Sequence, residues 1–374
     1  MLERGEKRTT ERLVPGVEPL EPASVRTSPV RQRSRRRTGS GDPVIDQKIR
    51  DFLDDPAIVV ENEDRLQDIL ETAFRMARTA NRGEMKLVSR SLRELGRAFR
   101  VYAPYRGIRK VSIFGSARTK PGDPAYAITR DFAYAIAARG WMVITGAGPG
   151  IMAAGHEGAG KKNSFGVGIM LPMEQGANSY IAGDPKLIDF KYFFTRKIAF
   201  MKESDAFVLL PGGFGTMDEA FELLTLMQTG KTAIRPVLLL DPPDGHYWVH
   251  WLDFVREHLI DAALVAKDDL SFFETVDNVD DATRIIDRFY SNYDSARYVG
   301  ERLVLRMKRG PSAEALARLN REFADIVQSG RIEAINATPA ETKDSDVVEM
   351  QRVAFHPVHN FGRIRQLIDA INAL

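Results

Sequence analysis

The chain has 374 residues, 28% charged and 44% hydrophobic, a globular composition long enough for a substantial core. Its 53 Lys and Arg against 51 Asp and Glu leave a formal charge of only +2, which weighs against a broad electrostatic grip on nucleic acid. The absence of cysteine excludes disulfides, thiolate nucleophiles and Cys-ligated metals, and the apolar runs, such as Ala206 to Leu210, fall far short of the roughly 20 residues that span a bilayer.

Residues 1–42 are rich in Arg, Pro, Ser, Thr and Glu without apolar periodicity, so they read as a disordered basic tail. Arg35, Arg36 and Arg37 are not followed by the apolar stretch that a twin-arginine export signal needs, and the expectation is a cytoplasmic protein. Residues 43–102 carry helical spacing (Ile45, Ile49, Phe52; then Leu66, Ile69, Leu70; then Leu92, Leu95, Phe99), predicting a helical N-terminal extension. Over 103–292 the rhythm becomes strand, Gly-rich turn, helix. Val111–Phe114, Trp141–Thr145, Phe165–Met170, Ala206–Leu210 and Pro236–Leu240 read as buried parallel strands. The fold class is therefore α/β, a doubly wound Rossmann-like parallel sheet. Residues 293–374 return to helical spacing at Leu316, Leu319 and Phe323, then Ile364, Leu367 and Ile371, predicting a helical C-terminal extension.

In an open parallel sheet, ligands bind beyond the carboxyl ends of the strands. Three loops there are built of small residues: Gly115-Ser116-Ala117-Arg118, Gly146-Ala147-Gly148-Pro149-Gly150, and Pro211-Gly212-Gly213-Phe214-Gly215-Thr216. The second fails the dinucleotide fingerprint because Ile151 stands at the last glycine position. Gly155 to Lys162 imitates a P-loop but has Lys162 where a magnesium-binding Ser or Thr is required. The third loop is more informative: glycines at a strand-to-helix turn bare backbone N–H groups, and the helix that starts there adds about half a positive charge, a cradle for one phosphate. Glu219 admits two readings. Thr216-x-x-Glu219 fits a capping box, and the same carboxylate lies one helical turn from the anion cradle, where a nucleotide ribose would sit. The pairs His246/His250 and His356/His359 lack a convincing third ligand, so no metal is expected.

Taken together, Phe114-Gly-Ser-Ala-Arg118, Val143 through Met152, Leu171-Pro172 with Glu174, Gln175 and Asn178, Tyr192 through Lys197, and Pro211 through Glu219 with Thr225 resemble the Lonely Guy family. Its members are cytokinin riboside 5'-monophosphate phosphoribohydrolases and related nucleotide nucleosidases, often labelled possible lysine decarboxylases. The resemblance covers about residues 108–260. It implies hydrolysis of the N-glycosidic bond of a nucleoside 5'-monophosphate, of the AMP or cytokinin riboside monophosphate type, without metal or organic cofactor. By the resemblance, Arg196 and Glu219 match the catalytic pair, and Lys197, Gly212, Gly213, Gly215, Thr216 and Thr225 match nucleotide-binding positions. Gly115, Ser116, Gly146, Gly148 and Gly150 join that binding set from the first two loops, and Glu174, Gln175 and Asn178 are expected at the base edge. The family's sites form at homodimer interfaces, which implies a homodimer or higher homo-oligomer. Ala147 departs from a family glycine, and Ala153 to His156 departs from the sequence of close relatives.

A pyridoxal-phosphate decarboxylase would need a Schiff-base lysine and an acidic partner for the ring nitrogen, and the sequence supplies no context for either. The competing reading is a non-catalytic carrier, binding a nucleotide or the phosphate-bearing molybdenum cofactor on the same loop. Having both Arg196 and Glu219 favours catalysis, because a carrier has no use for a carboxylate beside the sugar.

Overall fold

The structure is a computed structural model that describes residues 39–171, 176–341 and 347–374. The expected basic tail falls outside the described residues except for its end, where Asp42 caps the first helix by accepting from Val44 N. The chain divides between Met85 and Lys86 into two compact units. The first contains α1 (Pro43–Leu53) and α2 (Glu63–Thr79), joined by an ion pair from Arg78 to Asp42 at 2.7 Å. Helix α3 (Arg82–Tyr102) enters the second unit.

The strands β1 (Lys110–Phe114), β2 (Met142–Thr145) and β3 (Ser164–Ile169) form where apolar runs were read, each completely or nearly buried. Between them lie α4 (Pro124–Ala138) and α5 (Ile151–Ala159). Then come β4 (Leu187–Phe190), α6 (Phe193–Glu203), β5 (Ala206–Leu209), α7 (Phe214–Gln228) and β6 (Val237–Leu240). The sheet is finished by α8 (Tyr247–Phe254), β7 (Phe273–Val276) and α9 (Val279–Phe289). All seven strands are parallel, in the order β4-β3-β2-β1-β5-β6-β7. The order reverses at β1, which pairs with β2 on one side and β5 on the other. That switch point opens the crevice in which doubly wound sheets bind ligands. Strands β4 and β7 were not read from sequence because Leu187-Ile-Asp-Phe190 and Phe273-Glu-Thr-Val276 are short and interrupted by acidic residues.

The C-terminal expectation needs correction. Residues 293–374 are not simply helical: β8 (Tyr293–Val299), β9 (Arg302–Met307), α10 (Ala313–Glu322), β10 (Val327–Ile335), β11 (Gln351–Pro357) and α11 (Phe361–Asn372) combine two helices with a four-stranded antiparallel sheet. The helical spacing was real for α10 and α11. The strands escaped notice because charges interrupt their apolar runs. Arg306 of β9 and Arg352 of β11 are buried against Glu341, at 2.7 and 3.3 Å. Burial alone would raise the Glu341 pKa, but Thr338 and Arg306 hold it down to about 2.

Helices α4 and α5 meet at closest approach over Gly158, where an added Cβ would lie 2.0 Å from the Arg130 carbonyl oxygen. Gly158→Ala is therefore expected to destabilise the protein by about 1–3 kcal/mol, checked by urea denaturation.

Candidate active site

The first two glycine loops bind each other. Ile151 N donates to Ser116 O at 3.0 Å, and Ser116 N donates to Pro211 O of the third loop at 3.1 Å. Gly150 has φ +66°, and a Cβ on it would lie 2.3 Å from Ser116 O. A Cβ on Gly148 would meet the flexible end of the Met152 side chain, at 2.7 Å. These two glycines serve loop packing and do not line the cavity. Gly115, Ser116 and Gly146 do line it, together with Gly212, Gly213, Gly215, Thr216, Arg196 and Glu219. The cavity has a volume of about 710 Å³.

Helix α7 starts at this cavity with Gly213 as its N-cap and no side chain capping it. A Cβ on Gly212 would strike Thr216 Oγ1 at 2.1 Å, whereas Cβ atoms on Gly213 and Gly215 would meet no described atom within 4 Å beyond their chain neighbours and the local helix backbone. The latter two leave open space at the positive end of a 15-residue helix, where an anion is favoured. Tyr247 Oη donates to Gly212 O at 2.6 Å and steadies the turn from the side.

The capping-box reading is not realised. Because the helix begins at Phe214, Thr216 is its third residue and Glu219 its sixth, beyond reach of the cap. Glu219 is instead 6% exposed, and its Oε2 has no hydrogen-bond partner among the described residues. Burial raises its pKa to about 7, with Arg196 and Lys197 pulling down and Asp218 and Glu222 pushing up. Arg196, the fourth residue of α6, donates from Nε to Val167 O at 3.0 Å. Its Nη2 would lie 2.5 Å from a Cβ on Gly146, so that glycine makes the passage through which the guanidinium reaches the cavity. Burial disfavours the Arg196 charge, and Glu219 and Asp218 support it.

Sequence reasoning missed the group that fixes α6. Glu94 of α3, 4% exposed, accepts from Lys191 N at 2.9 Å and Thr195 Oγ1 at 2.7 Å, and pairs with Arg90 at 2.7 Å. The only trace of it in the sequence is the i,i+4 pair Arg90 and Glu94 on an otherwise ordinary helix.

Several expected site residues lie elsewhere. Lys197 is held by Asp218 at 2.8 Å and Glu222 at 2.6 Å, and it does not line the cavity. Thr225 lies further along α7, beside Trp251 and Leu224. Asn178 serves the second loop: its Nδ2 donates to Ala147 O at 3.1 Å and Gly148 O at 2.9 Å. Beneath it, His156 is wholly buried, with Nε2 3.0 Å from Phe165 O and Nδ1 3.1 Å from Asn178 Nδ2, and burial lowers its pKa. Ala147, on this buttress, adopts φ +65°, an unfavourable conformation for a residue with a Cβ. Glu174 and Gln175 lie outside the described residues. Among the described residues, no group of three or more His, Asp or Glu is placed to hold a metal, and no helix is long and apolar enough to cross a membrane.

Comparison with known proteins bears on this geometry. Residues 152–286 match the family model described as possible lysine decarboxylase. The cytokinin riboside 5'-monophosphate phosphoribohydrolase of Mycobacterium tuberculosis is 33% identical over 154 residues, 40% of this chain and 79% of that protein. Its counterpart from Mycobacterium marinum is 30% identical over 152 residues, 40% of this chain and 78% of that protein. The chain belongs to the Lonely Guy family. Solved structures similar to this Lonely Guy protein include the molybdenum cofactor binding protein of Rippkaea orientalis, 18% identical over 48% of this chain and 94% of that one, with a TM-score of 0.35.

The Glu219 titration has a consequence for stability. With a folded pKa of about 7 against the ordinary 4.5, the folded state keeps a proton that the unfolded state releases. Stability should therefore fall by up to about 3 kcal/mol as pH rises from about 4.5 to 7, then level off. Glu219→Gln should flatten that part of the profile, as read by denaturation at a series of pH values.

Proposed function

We propose that this chain hydrolyses the N-glycosidic bond of a nucleoside 5'-monophosphate, releasing free base and ribose 5-phosphate. One observation carries the reading: the buried carboxylate of Glu219, whose Oε2 has no hydrogen-bond partner among the described residues, opens into the same cavity as the bare N-terminus of α7. The backbone N–H groups of Gly213 to Thr216 hold the phosphate, which fixes the ribose against Glu219 and Arg196. As the C1'–N bond lengthens, positive charge grows on the sugar, and the Glu219 carboxylate stabilises it. The carboxylate also takes a proton from the attacking water. The new C1'–O bond forms as the C–N electron pair leaves with the base, which is protonated in turn, so that water is divided between the two products. A pKa of about 7 suits a group that accepts and returns a proton near neutrality.

Arg196 directs its donors at phosphate or ribose oxygens. Lys197 acts as a positioning residue by holding Asp218 and Glu222 of α7. Relatives named as cytokinin riboside 5'-monophosphate phosphoribohydrolases support the substrate class. The exposed Phe193, Phe194 and Ile198 of α6 and Phe221 of α7 support self-association as a homodimer or higher homo-oligomer.

The test incubates the purified chain with AMP, GMP, CMP, UMP and isopentenyl-AMP and follows base and ribose 5-phosphate by chromatography. Turnover of at least one is expected. Glu219→Gln should lower kcat at least a hundredfold while AMP affinity stays within about tenfold. Tight retention of a ligand without release of base would support the carrier reading instead, and near wild-type turnover by Glu219→Gln would remove the carboxylate from the mechanism.

A further inference from the structure

The proposed substrate brings a phosphate monoester of about −1.5 to −2 charge into the cavity. The fixed groups that meet it do not balance that charge. Arg196 is buried beside Glu219, whose field already supports it, and Asp218 also lines the cavity. The Lys197 ammonium is occupied by two carboxylates. What is left is the helix terminus, worth about half a charge. One cation lining this cavity is uncommitted: Arg118, in the loop after β1, is exposed, and its guanidinium makes no ion pair or hydrogen bond to any described residue.

The root of that side chain is held. Arg118 N donates to Ser116 Oγ at 3.1 Å, and the backbone of Ala117 packs against Gly150, where a Cβ would lie 2.7 Å from Ala117 C. A fixed base with a free fork of five donors suits capture of an incoming anion.

Resting on the phosphoribohydrolase reading, we infer that Arg118 is a specificity-determining residue that grips the outer phosphate oxygens from the β1 loop, opposite the α7 amides, and selects the dianionic monoester. The α7 terminus binds any anion weakly; Arg118 makes the second charge count. Its position on an exposed loop lets it engage after the phosphate has docked, without holding an unpaired charge in the interior.

Isothermal titration calorimetry on the full chain carrying Glu219→Gln, expected to slow turnover at least a hundredfold, tests this with AMP and with its monoanionic methyl phosphate ester. Adding Arg118→Ala should weaken AMP binding ten- to a hundredfold and the ester no more than about threefold, and Arg118→Lys should recover part of the loss. Unchanged AMP affinity in Arg118→Ala would overturn the inference and leave the proposed function standing, as would equal weakening of both ligands with a lowered melting temperature. Failure of the Glu219→Gln parent to bind either ligand would overturn the nucleotide reading itself, and the inference with it.

Discussion

A carboxyl group removed from water without a hydrogen-bond partner costs free energy on folding, and Glu219 is such a group. Nothing in the described residues compensates it except the nearby charges of Arg196 and Lys197, and burial outweighs them. A structural glutamate at this position would be better replaced by glutamine or leucine. The unsatisfied oxygen has a purpose only if something else enters the cavity to meet it, and the open space above Gly213 and Gly215 is where that guest would be anchored. The loops after β1, β2 and β5, with α6, hold the groups around this carboxyl in place.

The support comes from several directions. The sheet reverses order at β1, so the loops following β1 and β5 open side by side. Their backbones are tied directly, Ser116 N to Pro211 O, and the loop after β2 is tied to them through Ile151 N. From the far side, Glu94 clamps the first turn of α6 and so sets where Arg196 emerges. This clamp costs a buried charge. It is affordable because Arg90, Lys191 N and Thr195 Oγ1 all converge on the carboxylate, and these contacts outweigh burial to hold its pKa below the usual range.

Much of this was legible in the sequence, and the reasons divide cleanly. Buried parallel strands announce themselves as short, largely apolar runs, so β1, β2, β3, β5 and β6 are legible. The third glycine loop could be read as a cradle because its glycines precede a helix. What could not be read depends on contacts between distant segments. Glu94 meets Thr195 across about a hundred residues of chain, 101 positions apart. The buried Arg306, Arg352 and Glu341 cluster disguised strands as charged segments. The capping box is a local pattern that the chain does not use, because the helix is capped three residues earlier, at Gly213, which has no side chain to offer as a cap.

The fate of neighbouring residues shows why motif membership does not settle role. Arg196 and Lys197 are consecutive on α6, and consecutive helical residues project about 100° apart. One guanidinium therefore reaches the cavity through the gap left by Gly146, while the next ammonium turns to the flank of α7 and is consumed by Asp218 and Glu222. The same division runs through the glycines. Gly150 is glycine because Ser116 O lies where its side chain would be, whereas beside Gly213 and Gly215 no described atom beyond the chain neighbours and local helix backbone competes for the space. A small residue that other protein atoms require is explained by packing alone. Of the three glycine loops, only the third leaves glycines, Gly213 and Gly215, open toward the cavity, beside a Glu219 whose Oε2 has no hydrogen-bond partner among the described residues.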